Sequence, residues 1–233
     1  MIGQTAGAPA WRLGFWAAVL TAVGTAGTFA IAVTTLPVSG PFCAAGCVAY
    51  PYREVGDLVP HDYIWMYPAT VLLGIFVVLL ACIHAAAAES RQLYSLLALV
   101  FGAMGAAVLA GDYYIQIAAL QPSILRGEFE GLALVTQYNP HGIFIALEEL
   151  GYLLMSLAFL FLGLVFAGAS RLERVLRWLL VGGALAAFGA YIVLQLLYGM
   201  ELEYRFEVAV ITINWTLLIV VGVLLSAWFR RQR

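Results

Sequence analysis

The chain has 233 residues, 64% of them hydrophobic and 10% charged, with a mean hydropathy of +0.97. A soluble domain carries about 25% charged residues, so this chain cannot cover itself with polar groups, and its outer solvent is expected to be lipid. The net charge of -2 argues against a nucleic-acid partner. All eleven basic residues are arginine, which excludes Schiff-base chemistry on a lysine, retinal included.

Apolar runs of roughly 20 residues mark membrane spans. Six occur: Leu13–Leu36, Tyr63–Ala87, Leu93–Ala119, Gly142–Phe166, Val175–Leu197 and Val208–Phe229. Backbone groups in lipid must be satisfied within their own segment, and these runs do not alternate with period two, so each is expected to be a helix. The expected fold is an all-α integral membrane protein, a bundle of six transmembrane helices in one polytopic domain over 1–233. The first run is too long for a signal-peptide core and no convincing small-residue cleavage site follows it, so it reads as a retained helix.

The first span carries GTAGTFAIA, small residues that let helices approach closely. The loop after it, 37–62, contains PFCAAGCVAYPY. Cys43 and Cys47 read as a structural disulfide if the turn brings their Cα atoms within about 4.4–6.8 Å. A redox pair is disfavoured because the spacing is CxxxC rather than CxxC, while free thiols and metal ligation stay open. The aromatic stretch that follows reads as a cap over a cavity or as an interfacial belt.

The second span offers Asp62, Trp65 and Tyr67 at its mouth, with Pro68 kinking or capping its first turns. Cys82 reads as packing. His84 lies near the other end without a matching histidine, which disfavours a bis-histidine haem, and no cofactor is predicted. The turn AAESRQ leads to the third span, whose Asp112 shares a face with Gln116. After the loop 120–141, the fourth span opens as NPHGIFIALEELGYLLM. Counted from Pro140 at about 1.5 Å per residue, Glu148 and Glu149 lie roughly 12–13 Å inside. They share a helical region with His141, Ile145, Tyr152 and Ser156 but point about 100° apart.

The turn AGASRLER leads to the fifth span, where Tyr191, Gln195 and Tyr198 form a row; in the sixth, Glu207 aligns with Asn214. The stretches beginning SRQLYS and SRLERV each end in Gly-x-Tyr and a glutamine. They read either as parallel repeats or as a likeness of composition alone.

Arg12, Arg91, Arg171, Arg174, Arg177, Arg230, Arg231 and Arg233 fall on one side of the expected membrane; Arg53, Arg126 and Arg205 fall on the other. The positive-inside rule then places both termini in the cytoplasm of a cell (inner) membrane and the two long loops outside. Nearly every strongly polar membrane residue lies in the outer half, above apolar stretches such as LAFLFLGLVFAG. Charges at membrane depth are costly and usually face the bundle interior. With no arginine beside them, at least one of Glu148 and Glu149 is expected to be protonated.

These residues point to an outward-facing acidic pocket lined by Glu148, Glu149, Asp112, Gln116, Tyr152, Tyr191, Gln195, Asn214 and Trp65. Such a pocket suits a small cationic, amine or hydroxyl-bearing ligand that is bound or transported. One alternative is a membrane-embedded acid–base enzyme, an isomerase or hydrolase of a lipid-like substrate, using Glu148, Glu149 and Asp112. Another is a scaffold subunit of a homo-oligomer or larger membrane complex, with the polar groups as helix glue. His61 and His141 at the rim are weak metal candidates, without a recognised ligand spacing.

Overall fold

The computed structural model of the protein describes residues 8–35, 37–168 and 170–231. In chain order the helices are α1 (Ala8–Ala32), α2 (Met66–Ala86), α3 (Gln92–Ile115), the short α4 (Gln121–Leu125) and α5 (Leu132–Val135), then α6 (Ile143–Val165), α7 (Arg171–Tyr198) and α8 (Tyr204–Arg231). No strand occurs among the described residues. Among the described residues, six helices are long and apolar enough to cross a membrane, which fits a multi-pass membrane protein.

The helix bounds differ from the apolar runs where local chemistry intervenes. α7 begins before Val175 because Ser170 Oγ accepts from Glu173 N at 3.2 Å, a Ser-x-x-Glu cap that extends the helix through a charged turn. The apolar run of the third span reads through to Ala119, whereas α3 passes after Ile115 into a π-helical turn, Gln116–Leu120. That turn runs on into α4. α1 starts at Ala8 rather than Leu13 and ends at Ala32. Leu36, the far bound of that run, and Arg233 of the arginine count lie outside the described residues.

The long helices close a ring: α1 packs on α2, α2 on α3, α3 on α6, α6 on α7, α7 on α8 and α8 on α1, with α6 also reaching α8. The α3–α6 seam is close-packed. A Cβ built on Gly105 would meet the Gly151 carbonyl oxygen at 2.8 Å, so only glycine allows this approach. α7 is the least buried of the six.

The two ends of the bundle differ. At the hairpin end, Arg91 Nη1 donates to the Leu164 carbonyl at 3.3 Å. There Trp228 gathers Trp11 and Phe166, with ring centroids 5.5 and 5.6 Å away. His84 also sits there, its Nδ1 2.8 Å from Ser95 Oγ. At the loop end, segments 37–65 and 116–142 fold onto the start of α8. Ser39 Oγ donates to the Tyr138 carbonyl at 2.7 Å, and Tyr204 OH donates to the Gln137 carbonyl at 3.0 Å. Gln116, fully buried in the π turn, donates to the Val135 carbonyl at 2.6 Å and accepts from Gln137 N at 3.3 Å. Cys43 and Cys47 are at disulfide-bonding distance, with Cα atoms 5.9 Å apart, and Cys82 is a buried free thiol.

Candidate functional site: a carboxyl pair behind an aromatic cavity

Residues four apart share a helix face, and on α6 this stacks Glu148, Tyr152 and Ser156, all fully or almost fully buried. α3 brings Asp112 and Tyr113 to that face, and α8 brings Glu207, Asn214 and Trp215. Glu149, about 100° around the helix, is half-buried beside the group. The two adjacent glutamates therefore take unequal positions, with Glu148 the inward one.

The hydroxyls form a directed chain. Tyr113 OH donates to Glu148 Oε1 at 2.6 Å, and the Tyr113 and Tyr152 oxygens are 2.8 Å apart. Each phenol has one hydrogen. Tyr113 gives its own to Glu148, so Tyr152 donates to Tyr113. Tyr152 in turn accepts from Trp215 Nε1 at 2.8 Å. Below it, Asn214 Nδ2 donates to the Tyr152 carbonyl and lies the same 3.2 Å from Ser156 Oγ.

The carboxyls of Glu148 and Glu207 face each other within hydrogen-bond reach. Glu148 Oε2, Glu207 Oε2 and Asp112 Oδ2 are buried and meet no N–H or O–H donor. The only hydrogen that can bridge two facing carboxyls is a carboxylic proton. Glu148 already accepts from Tyr113, so the chain is satisfied when Glu207 carries that proton and donates it to Glu148. Among the described residues the ion pairs of this end join His61 to Asp62, His141 to Glu203 and Arg205 to Glu203; none reaches the carboxyl pair.

Beside the pair lies a cavity of about 310 Å³ between the loop ends of α1 and α8, at the lower bound of ligand pockets, roughly 300–1,000 Å³. Asp62 and Glu207 line it, together with the rings of Phe29, Trp65, Tyr138, Tyr204 and Trp215. Trp215 packs edge-on against Phe29 and Trp65, with centroids 5.6 and 6.1 Å apart. Among the described residues, neither arginine nor histidine lines it. Asp62 is held from both sides, by Tyr138 OH at 3.2 Å and His61 Nδ1 at 3.1 Å. Burial, with Tyr63 and Asp62 adjacent, pushes the Tyr138 phenol above its ordinary value, which keeps it a neutral donor. Cavity and buried chain share two residues: Glu207 touches Glu148, and Trp215 donates to Tyr152.

Compared with known proteins, the chain matches no family model, no curated protein and no solved structure. The site therefore has to be read from its own chemistry.

Of the residues singled out in the sequence, the fold gathers Glu148, Asp112, Tyr152, Asn214 and Trp65, with Glu149 at their edge. Trp65 lines the cavity. Tyr152 lines a second, smaller space of about 30 Å³ shared with Tyr113 and Trp215. Gln116 is tied to the loop backbone instead. Gln195 is exposed on α7, and Tyr191 stacks edge-on with Phe206 at 4.9 Å, so neither joins the group. His61 and His141 turn to different acids, and among the described residues no three His, Cys, Asp or Glu side chains converge as a metal site would. Sequence reasoning missed Glu207, Tyr113 and Trp215 as members. The signal for Glu207 was present, since it lies two turns from Asn214 on one face. Tyr113 and Trp215 were hidden among the many aromatics of an apolar chain.

Proposed function

We propose that the protein binds or carries a small cationic, amine or hydroxyl-bearing ligand in an acidic chamber at its loop end. In this reading the loop end faces outward from a cell membrane and both termini are cytoplasmic. The observation that carries it is the cavity of about 310 Å³ whose lining, among the described residues, includes two acids, Asp62 and Glu207, and no basic side chain. Glu207 is backed by a second carboxyl, Glu148. Asp62 already has His61 and Tyr138, so a cation supplies the positive partner, or a hydroxyl the donor, that Glu207 lacks among the described residues. The orientation rests on seven described arginines at the hairpin end against Arg53, Arg126 and Arg205 at the other. The cysteine pair of the loop end agrees, since disulfides persist in oxidising compartments.

The acid–base enzyme reading has less support. Glu148 and Asp112 are buried and line neither cavity, so any such chemistry would have to pass through Glu207. The scaffold reading explains the buried hydrogen bonds but not the cavity beside them.

The reading is tested by cysteine accessibility. Val208 and Thr35 both line the cavity. Single cysteines there, in a Cys82→Ser background, should react with a membrane-impermeant thiol reagent added outside intact cells. A cysteine replacing the buried Leu176 should not. If neither cavity position reacts in folded, surface-exposed protein, there is no chamber open to the outside and the reading fails.

A further inference from the structure

The cavity selects by more than charge, because its neutral hydrogen-bonding groups are already engaged. Ser39 Oγ donates to the Tyr138 carbonyl, Tyr204 OH to the Gln137 carbonyl and Tyr138 OH to Asp62. Gln137 Nε2 lies 3.5 Å from the Asp62 carbonyl. A polyhydroxy ligand would find few free partners. A calcium-like ion needs about 6–8 oxygen ligands, which this wall does not assemble. What stays available is carboxyl and ring surface: Glu207, which lines the cavity, and the edge-packed rings of Phe29, Trp65 and Trp215. Aromatic faces attract cations and accept apolar substituents at the same time.

Resting on the reading of this cavity as a ligand site, we propose that it receives a hydrophobic ammonium ion. Its N–H sits on Glu207, its alkyl groups lie against Trp65, Trp215 and Phe29, and its charge is met by the single negative charge that Glu207 and Glu148 hold together through one shared proton. A desolvated ammonium without a counter-charge is costly. The carboxyl pair supplies that counter-charge and keeps its proton, since losing it would leave two facing carboxylates against one cation. No covalent bond changes. The groups around Glu207 are Glu148 and Glu149 on α6, Asp112 on α3, Tyr152 on α6 and Tyr204 on its own helix. All are acids or phenols, so none competes as a resident cation. A phospholipid amine headgroup would bring its phosphate against Asp62 and Glu207 with no arginine lining the cavity, which favours an amine that carries no phosphate.

The test uses the full chain in phosphatidylglycerol nanodiscs, with empty discs as blank, and titrates N,N-dimethylbutylammonium, butanol and glycerol calorimetrically. The ammonium should bind saturably, and buffers of different ionisation enthalpy should report the same binding enthalpy, because the pair keeps its proton. Glu207→Gln combined with Glu148→Gln, which removes both carboxyls that can hold the charge, should weaken binding at least about tenfold. If that variant does not fold, the contrast of ammonium with butanol on the wild-type chain decides alone. Binding of butanol or glycerol but not the ammonium overturns this inference and leaves the broader ligand reading standing. Binding of none of the three overturns both. Ammonium binding with release of a full proton overturns the shared-charge pairing. Unchanged affinity in discs containing phosphatidylethanolamine supports a free amine. Its loss there shows a headgroup amine in the site and overturns the phosphate argument.

Discussion

Replacing Glu148 by leucine and by glutamine should have sharply different consequences, and the difference measures the directed chain. Glu148 is fully buried and receives hydrogen from two sides, Tyr113 OH at 2.6 Å and the facing carboxyl of Glu207. Leucine fills the space but leaves both donors without an acceptor. A buried unsatisfied donor costs about 1–3 kcal/mol, so Glu148→Leu should lose roughly 2–6 kcal/mol. At about 2–4 °C per kcal/mol for a chain of this size, that lowers the unfolding midpoint by at least about 4 °C. Glutamine keeps an oxygen for Tyr113 and turns an amide hydrogen toward Glu207, so Glu148→Gln should cost under about 1.5 kcal/mol. Thermal unfolding of both variants in one detergent, at one scan rate, reads the contrast. A leucine variant as stable as wild type would refute the network. A glutamine variant as damaged as leucine would refute proton sharing, because it would mean that the carboxylate charge itself is indispensable to the fold.

Three further outcomes are expected. Thiol labelling of denatured, unreduced protein should modify Cys82 alone; three labelled cysteines would exclude the Cys43–Cys47 bond. Reporter fusions after Arg231 and in the loop at Glu128 should report opposite sides of the membrane, and agreement between them would overturn the six-span topology. Gly105→Val should abolish folded protein in detergent because its Cβ would press on the Gly151 carbonyl oxygen at 2.8 Å, whereas Gly111→Ala, with open space around it, should be near neutral; equal stability of the two would show that the α3–α6 seam can part freely.

The six spans were legible because lipid imposes one requirement on every span, an unbroken apolar run, and each run became a helix. Their ends were less legible. The start of α7 depended on a Ser170–Glu173 cap that lies outside the apolar run, and the π turn after Ile115 leaves no mark in hydropathy. In the site, Glu148 and Asp112 stood out because a carboxyl in an apolar run is rare. Gln195 stood out for the same reason yet lies on the exposed side of α7. Rarity shows that a polar residue needs an explanation, but not which way it points. Glu207 was legible as a face-mate of Asn214, but its contact with Glu148 depends on how α6 and α8 are rotated against each other, which no single helix encodes.

Below Ser156 and Asn214 the interior side chains of α8 turn to Leu217, Val221, Leu225 and Phe229, all buried. This apolar plug has an electrical consequence. A membrane voltage falls mainly across the part of a protein that excludes water and mobile ions, and here that part is the plug. Moving a full elementary charge through 100 mV corresponds to about 2.3 kcal/mol. At about 1.5 Å per residue, Glu207 sits only about 5 Å along a helix roughly 42 Å long. On the proposed reading, a cation that stops at Glu207 would cross a small share of the field, so occupancy of the chamber would follow the concentration on the loop side and be nearly indifferent to membrane potential.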